Sequence, residues 1–143
     1  MMHRPVARRI LLALAMLASI TVTGCSDPYA DARAGMSDSD RARFDRGARA
    51  ASPCAACHDL AGSATKIGPA LRGLAGRRAG AVSGFAYTPA LANSGIVWGP
   101  RTLDAFLASP QSYVPGTRMV SPGVADAQRA DLVFFLLNSG PPE

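Results

Sequence analysis

Between Ser37 and Ala51 the apolar or small residues Phe44, Gly47, Ala48 and Ala51 recur at i, i+3, i+4 and i+7, the period of one helix face. Arg41, Arg43, Asp45, Arg46 and Arg49 fall opposite, as a solvated face would. With Ser37 and Ser39 as candidate N-caps, the spacing predicts a helix over about 40–51, ended by Ser52-Pro53. The pattern returns near the other end of the chain. There Leu132, Phe135 and Leu136 share a face over Asp126 to Asn138, and Ser139-Gly140-Pro141 is the stop. Two shorter helices are predicted between them. Thr88-Pro89 pairs a cap with proline at the first helical position and leads to Asn93. Thr102 caps Leu103 to Ala108, stopped by Pro110. From Asp59 to Gly84 no period holds; Gly62, Gly68, Gly73, Gly76, Gly80 and Gly84 punctuate the run together with Pro69, and such glycines permit tight turns and close approach to a flat ligand. No segment reads as a strand. The chain is predicted to be all-α, with about four to five short helices and long loops, and loops of that length are unusual unless something fills the space they enclose.

The first residues belong to a different pattern. Met1 to Arg9 carries Arg4, Arg8 and Arg9 and no acid, and Ile10 to Gly24 is apolar or weakly polar. A basic region before a short apolar run reads as a secretory signal peptide, the run being shorter than the ~20 apolar residues of a spanning helix. Val22-Thr23-Gly24-Cys25 resembles the lipobox of bacterial lipoproteins, in which the cysteine takes a lipid and becomes the new N-terminus. The chain thus divides into a signal peptide over 1–24, a lipid attachment and polar tether over 25–38, and one domain over 39–143.

Removing the leader changes the charge. The chain has 15 Lys+Arg against 10 Asp+Glu, a net charge of +5. Three of those arginines precede Cys25, which leaves 12 against 10, a net of +2. That balance, with Lys66 as the only lysine and no basic stripe interleaved with aromatics, does not describe a nucleic-acid binder.

Of three cysteines, Cys25 is assigned to lipid, and the other two stand in Cys54-Ala55-Ala56-Cys57-His58. Cys-x-x-Cys-His is the attachment signal of a c-type haem: each thiol adds to one vinyl group, and the adjacent imidazole ligates the iron. A thioredoxin-type redox pair would sit in a strand-helix-strand pattern, which is absent, and a structural zinc site needs more Cys or His than remain. His3 leaves with the leader, so His58 is the sole histidine of the mature domain. A second axial ligand must be sought among the methionines. Met1, Met2 and Met16 are lost too, Met36 lies in the polar tether, and Met119 follows the stiff turn Val114-Pro115-Gly116-Thr117-Arg118. Met119 is the predicted partner of His58, and Met/His ligation raises the reduction potential.

Several spaced segments together resemble class I cytochromes c, in particular the mitochondrial cytochrome c and bacterial cytochrome c2 group. They are Cys54–His58, Gly68-Pro69-Ala70-Leu71 with Gly73, Gly76-Arg77, Gly84-Phe85-Ala86-Tyr87-Thr88, Gly95-Ile96-Val97-Trp98 and Tyr113 to Met119. The resemblance runs over about 40–139 and implies the class I fold wrapped around one covalently attached haem. It implies roles as well. The Pro69 carbonyl accepts a hydrogen bond from the iron-binding imidazole; Arg77, Tyr87 and Trp98 hold a buried propionate; Thr88 and Thr117 bond propionates. It further implies that the first and last helices cross at small residues, where Gly47 stands. Three departures are visible. Phe106 replaces the family's usual tyrosine and would leave the Met119 sulfur without a hydroxyl partner, Leu91 stands where the mitochondrial proteins usually carry an asparagine, and the family's docking lysines are missing.

These readings predict a non-enzymatic, periplasmic, lipid-anchored monomer carrying single electrons between respiratory or photosynthetic redox proteins, with one haem c and its iron as cofactor. A fixed cytochrome c subunit of an oxidase or dehydrogenase complex is the alternative. A small haem peroxidase is a further one, for which no second histidine supplies a distal acid-base pair.

Overall fold

The computed structural model describes residues 26–141. Both the leader and Cys25, the predicted lipid site, lie outside the described residues. Among the described residues there are six α-helices: α1 (Ala30–Ala34), α2 (Asp38–Ala50), α3 (Pro89–Ala92), α4 (Pro100–Ala108), α5 (Pro110–Tyr113) and α6 (Asp126–Asn138). A 3-10 turn spans Ser52–Ala56. Among the described residues no strand forms, only an isolated antiparallel bridge between Arg78 and Val97.

The long helices pack on each other because the sequence removes bulk where they cross. A Cβ on Gly47 of α2 would lie 2.1 Å from the Asp131 carbonyl and 2.6 Å from the Phe135 Cβ of α6. With that atom missing, the fully buried Phe44 meets Phe135 edge-on at 4.9 Å, a geometry that adds about 0.5–1.5 kcal/mol to its burial. Ser37 caps α2 by accepting the N–H of Asp40 at 3.1 Å. The polar face of α2 is less solvated than its pattern suggests. Arg43 lies 4.4 Å from the Phe134 ring centroid and donates to the Ala130 carbonyl at 3.2 Å, and Arg46 pairs with Asp131 at 2.6 Å.

The segment read as a polar tether is also docked. Tyr29 packs edge-on against both Phe44 (5.7 Å) and Phe135 (5.2 Å). Arg33 covers the outer face of Phe44 at 4.9 Å while pairing with Asp27 and Asp45. A short helix, α1, connects these two anchors. The order extends at least from Tyr29 because its ring fills a position on the α2–α6 pair.

Two helix boundaries differ from the pattern. α4 begins at Pro100 rather than after Thr102, with Gly99 as N-cap; Thr102 reaches back and its Oγ1 accepts the Gly99 N–H at 2.9 Å. Pro110 ends α4 as expected but also opens α5, since proline is preorganised for a first helical position.

Candidate functional site

The remaining chain, mostly loop, encloses an apolar cavity between α4, α6 and the loops over 54–91 and 119. Eight of the side chains singled out from the sequence line it: Cys54, His58, Pro69, Arg77, Tyr87, Trp98, Phe106 and Met119.

His58 follows directly on the 3-10 turn that carries the two cysteines. Its Nδ1 lies 2.7 Å from the Pro69 carbonyl oxygen. A carbonyl only accepts, so Nδ1 is the donor, and the lone pair of the neutral ring is left on Nε2, the tautomer that a metal ligand needs. Gly68 packs flat on the imidazole, where a Cβ would come within 2.3 Å of Cε1. The Lys66 ammonium fastens the other side of the motif, donating to the carbonyls of Ala55 and His58. Asp59 anchors the loop that follows, accepting from the N–H groups of Ala61, Gly62 and Ala64. Those bonds, Gly62 and Ala64 first, hold its carboxyl below the usual carboxylate range. Burial pushes the Cys54 thiol up, and a protonated thiol is a poor nucleophile for disulfide exchange.

Arg77 brings a cationic side chain to this apolar wall. It is 6% exposed and donates to the carbonyls of Ala70 (2.8 Å) and Arg72 (3.0 Å). Its backbone carbonyl accepts the Trp98 N–H at 2.9 Å, so the short paired stretch around the Arg78–Val97 bridge delivers Arg77 and Trp98 together. Trp98 packs on Phe106 at 5.1 Å, and Tyr87 on Phe85 at 4.7 Å.

Three of the predicted site residues do not line the cavity. Thr88 is the N-cap of α3, its Oγ1 accepting the Leu91 N–H at 3.3 Å. Thr117 is buried, and its Oγ1 accepts the Met119 N–H at 3.3 Å. Cys57 is half-buried beside Cys54. Conversely, Leu71, Leu74, Leu103, Leu107 and Leu136 form much of the wall. On α4 and α6 the helical period marks such leucines as core without saying which meet a ligand. Leu71 and Leu74 sit in the aperiodic loop, where no period marks them and only the family-like segment 68–71 includes Leu71.

The donor set fits a haem. The Cys54 thiol and an oriented imidazole open onto one apolar cavity with a thioether, Cys57 stands beside them, and a buried guanidinium suits a carboxylate that burial would otherwise penalise. Fold and site together define a protein built around a covalently attached haem. A sequence model described as Cytochrome c matches residues 44–140. Cytochrome c type-1 of Ascaris suum is 46% identical over 84 residues, which cover 58% of this chain and 75% of that protein. Cytochrome c2 of Rhodoplanes tepidamans is 42% identical over 90 residues, 62% of this chain and 84% of that one. Among solved structures, cytochrome cH from Methylobacterium extorquens superposes with a TM-score of 0.61 at 38% identity, over 65% of this chain and 95% of that chain.

The chain belongs to the cytochrome c family. It is accordingly an electron-transfer protein rather than an enzyme, it carries one covalent c-type haem with its iron, and its partners are redox proteins.

Proposed function

We propose that the chain is a periplasmic, lipid-anchored carrier of single electrons, with Cys54 and Cys57 holding the haem and His58 and Met119 ligating its iron. Bound in the cavity, the haem supplies the one-electron ferric/ferrous couple. The protein's own part is to hold ligands and exclude water. The observation that carries the reading is the 2.7 Å contact from His58 Nδ1 to the Pro69 carbonyl, in a cavity that Met119 also lines. The Pro69 carbonyl keeps Nε2 free for iron and makes the imidazole a stronger donor. Met119 would be the second protein ligand of the iron, and Met/His ligation raises the reduction potential. Arg77, Tyr87 and Trp98 would hold a buried propionate, and Thr88 and Thr117 would bond propionates. Lipid on Cys25 would raise the carrier's effective concentration at a membrane without a charged docking surface, which suits a net charge of +2 from Cys25 onward, from 12 Lys+Arg and 10 Asp+Glu.

Anaerobic reductive titration of the holoprotein tests the carrier role: one electron per chain, with no peroxide turnover, is expected. Peroxide consumption at enzymatic rates would contradict it. For the anchor, membrane fractionation should follow Cys25, with a Cys25→Ser chain released to the soluble periplasm; a Ser variant still recovered in the membrane contradicts lipidation. Co-purification in fixed stoichiometry with a membrane oxidase or dehydrogenase would favour the subunit reading instead.

A further inference from the structure

The segment that presents Met119 belongs to no helix or strand, so its backbone groups must find partners elsewhere. Arg118 donates to the Ala86 carbonyl at 2.8 Å, which ties the outer side of the segment to the neighbouring loop. The inner tie comes from α5. Gln111 Nε2 donates to the Thr117 carbonyl at 2.8 Å and to the Met119 carbonyl at 3.2 Å. A side-chain amide has two N–H donors, so a single residue serves the carbonyls on either side of Arg118. Beyond this grip the chain is open: Val120 is 96% exposed. On the near side Gly116 sits at φ +92, a turn that side chains rarely tolerate. The latch therefore acts on a short run bounded by a glycine turn and an exposed residue.

We infer that Gln111 is a positioning residue whose amide holds the Thr117–Met119 segment closed and slows departure of the Met119 thioether from iron. The inference rests on Met119 being the axial ligand. Gln111 touches no haem atom in this role; it acts through the two carbonyls. Because its side chain is exposed, water competes for these bonds. The effect is therefore a change in how often the segment opens, while the ligand itself is retained.

The test is azide binding to the ferric holoprotein by stopped flow. At high azide the rate levels off at the rate of Met119 release. Gln111→Leu removes both donors, and its plateau should rise roughly two- to tenfold. Gln111→Glu presents only acceptor oxygens to the two carbonyls and should rise further. Gln111→Arg restores donors, cannot ligate iron because it stays protonated, and should fall back toward wild type. The methionine-to-iron charge-transfer band should persist in all four proteins, which separates faster release from loss of the ligand. Equal plateaus in wild type, Leu and Glu variants, with the band present, overturn the latch alone. A wild-type protein without the band overturns the ligation on which the latch depends.

Discussion

The α2–α6 pair and the loops over 59–124 are built on opposite principles. In the helix pair, side chains satisfy one another: Phe44, Phe135 and Tyr29 form a three-ring cluster with centroid distances of 4.9–5.7 Å, and Arg33, Arg43 and Arg46 seal its edges. In the loop half the walls face inward onto the apolar cavity. Its backbone is shaped by positive-φ glycines, all of which lie between Gly73 and Gly123. The helix pair fills its own crossing, and α6 serves both regions, with Phe135 in the ring cluster and Leu136 in the cavity wall. The loops are a mould, and their apolar walls gain full burial only against a flat apolar ligand. Structure encoded by side-chain contacts and structure encoded by a cofactor thus lie side by side in one domain.

The comparison breaks most visibly if the haem is withheld. A chain expressed without haem attachment should lose amide-exchange protection throughout 59–124 and should forfeit most of the ~5–15 kcal/mol that a domain of this kind has. Protection persisting in those loops would mean that they are a core after all. Next in size is Gly47→Val. Its first added carbon alone would meet the Asp131 carbonyl at 2.1 Å, so the helices must part at a cost of about 3 kcal/mol in urea unfolding. Gly35→Ala, with nothing within 4 Å, should change stability by less than about 0.5 kcal/mol. Tyr29→Ala sharpens the boundary of the helix half. Losing its two ring contacts should cost about 1–2 kcal/mol; no change would return residues 26–36 to the role of a loose tether. The smallest effect concerns the cavity. Phe106→Tyr places a hydroxyl in the wall that Met119 shares. A hydrogen bond to the sulfur withdraws electron density and disfavours ferric iron. At about 0.5–1.5 kcal/mol for the bond and about 59 mV per 1.4 kcal/mol, the potential should rise roughly 20–60 mV. An unchanged or lower potential in voltammetry refutes that role for the missing hydroxyl.

The two halves also differ in how far they can be read from the sequence, for the same reason. α2 and α6 were legible because their signals are periodic and local; Asp126–Asn138 and the Ser37 cap stand where the pattern puts them. Tyr29 was not, since nothing within its own polar segment announces two phenylalanine partners, one of them near the far end of the chain. Thr102 carried a true capping signal, but its hydroxyl serves the residue three positions earlier, and Pro100 was the better marker of the start. That Cys54, His58 and Met119 share one cavity was legible because their chemistry is rare and elimination leaves few candidates. Pro69, Arg77 and Trp98 needed the family resemblance. Gln111 had no sequence signal, because a glutamine on a four-residue helix looks like any solvated side chain until the path of residues 117–119 is known.

We propose that His58 and Met119, which line one cavity, both ligate the haem iron, so that the protein moves electrons only. The most direct measurement is carbon monoxide binding to the ferrous holoprotein, wild type against Met119→Ala. The wild type should exclude the gas at neutral pH, and the variant, with one axial position open, should take it up at one molecule per chain. Ready binding by the wild type, or exclusion by the variant as well, would contradict it.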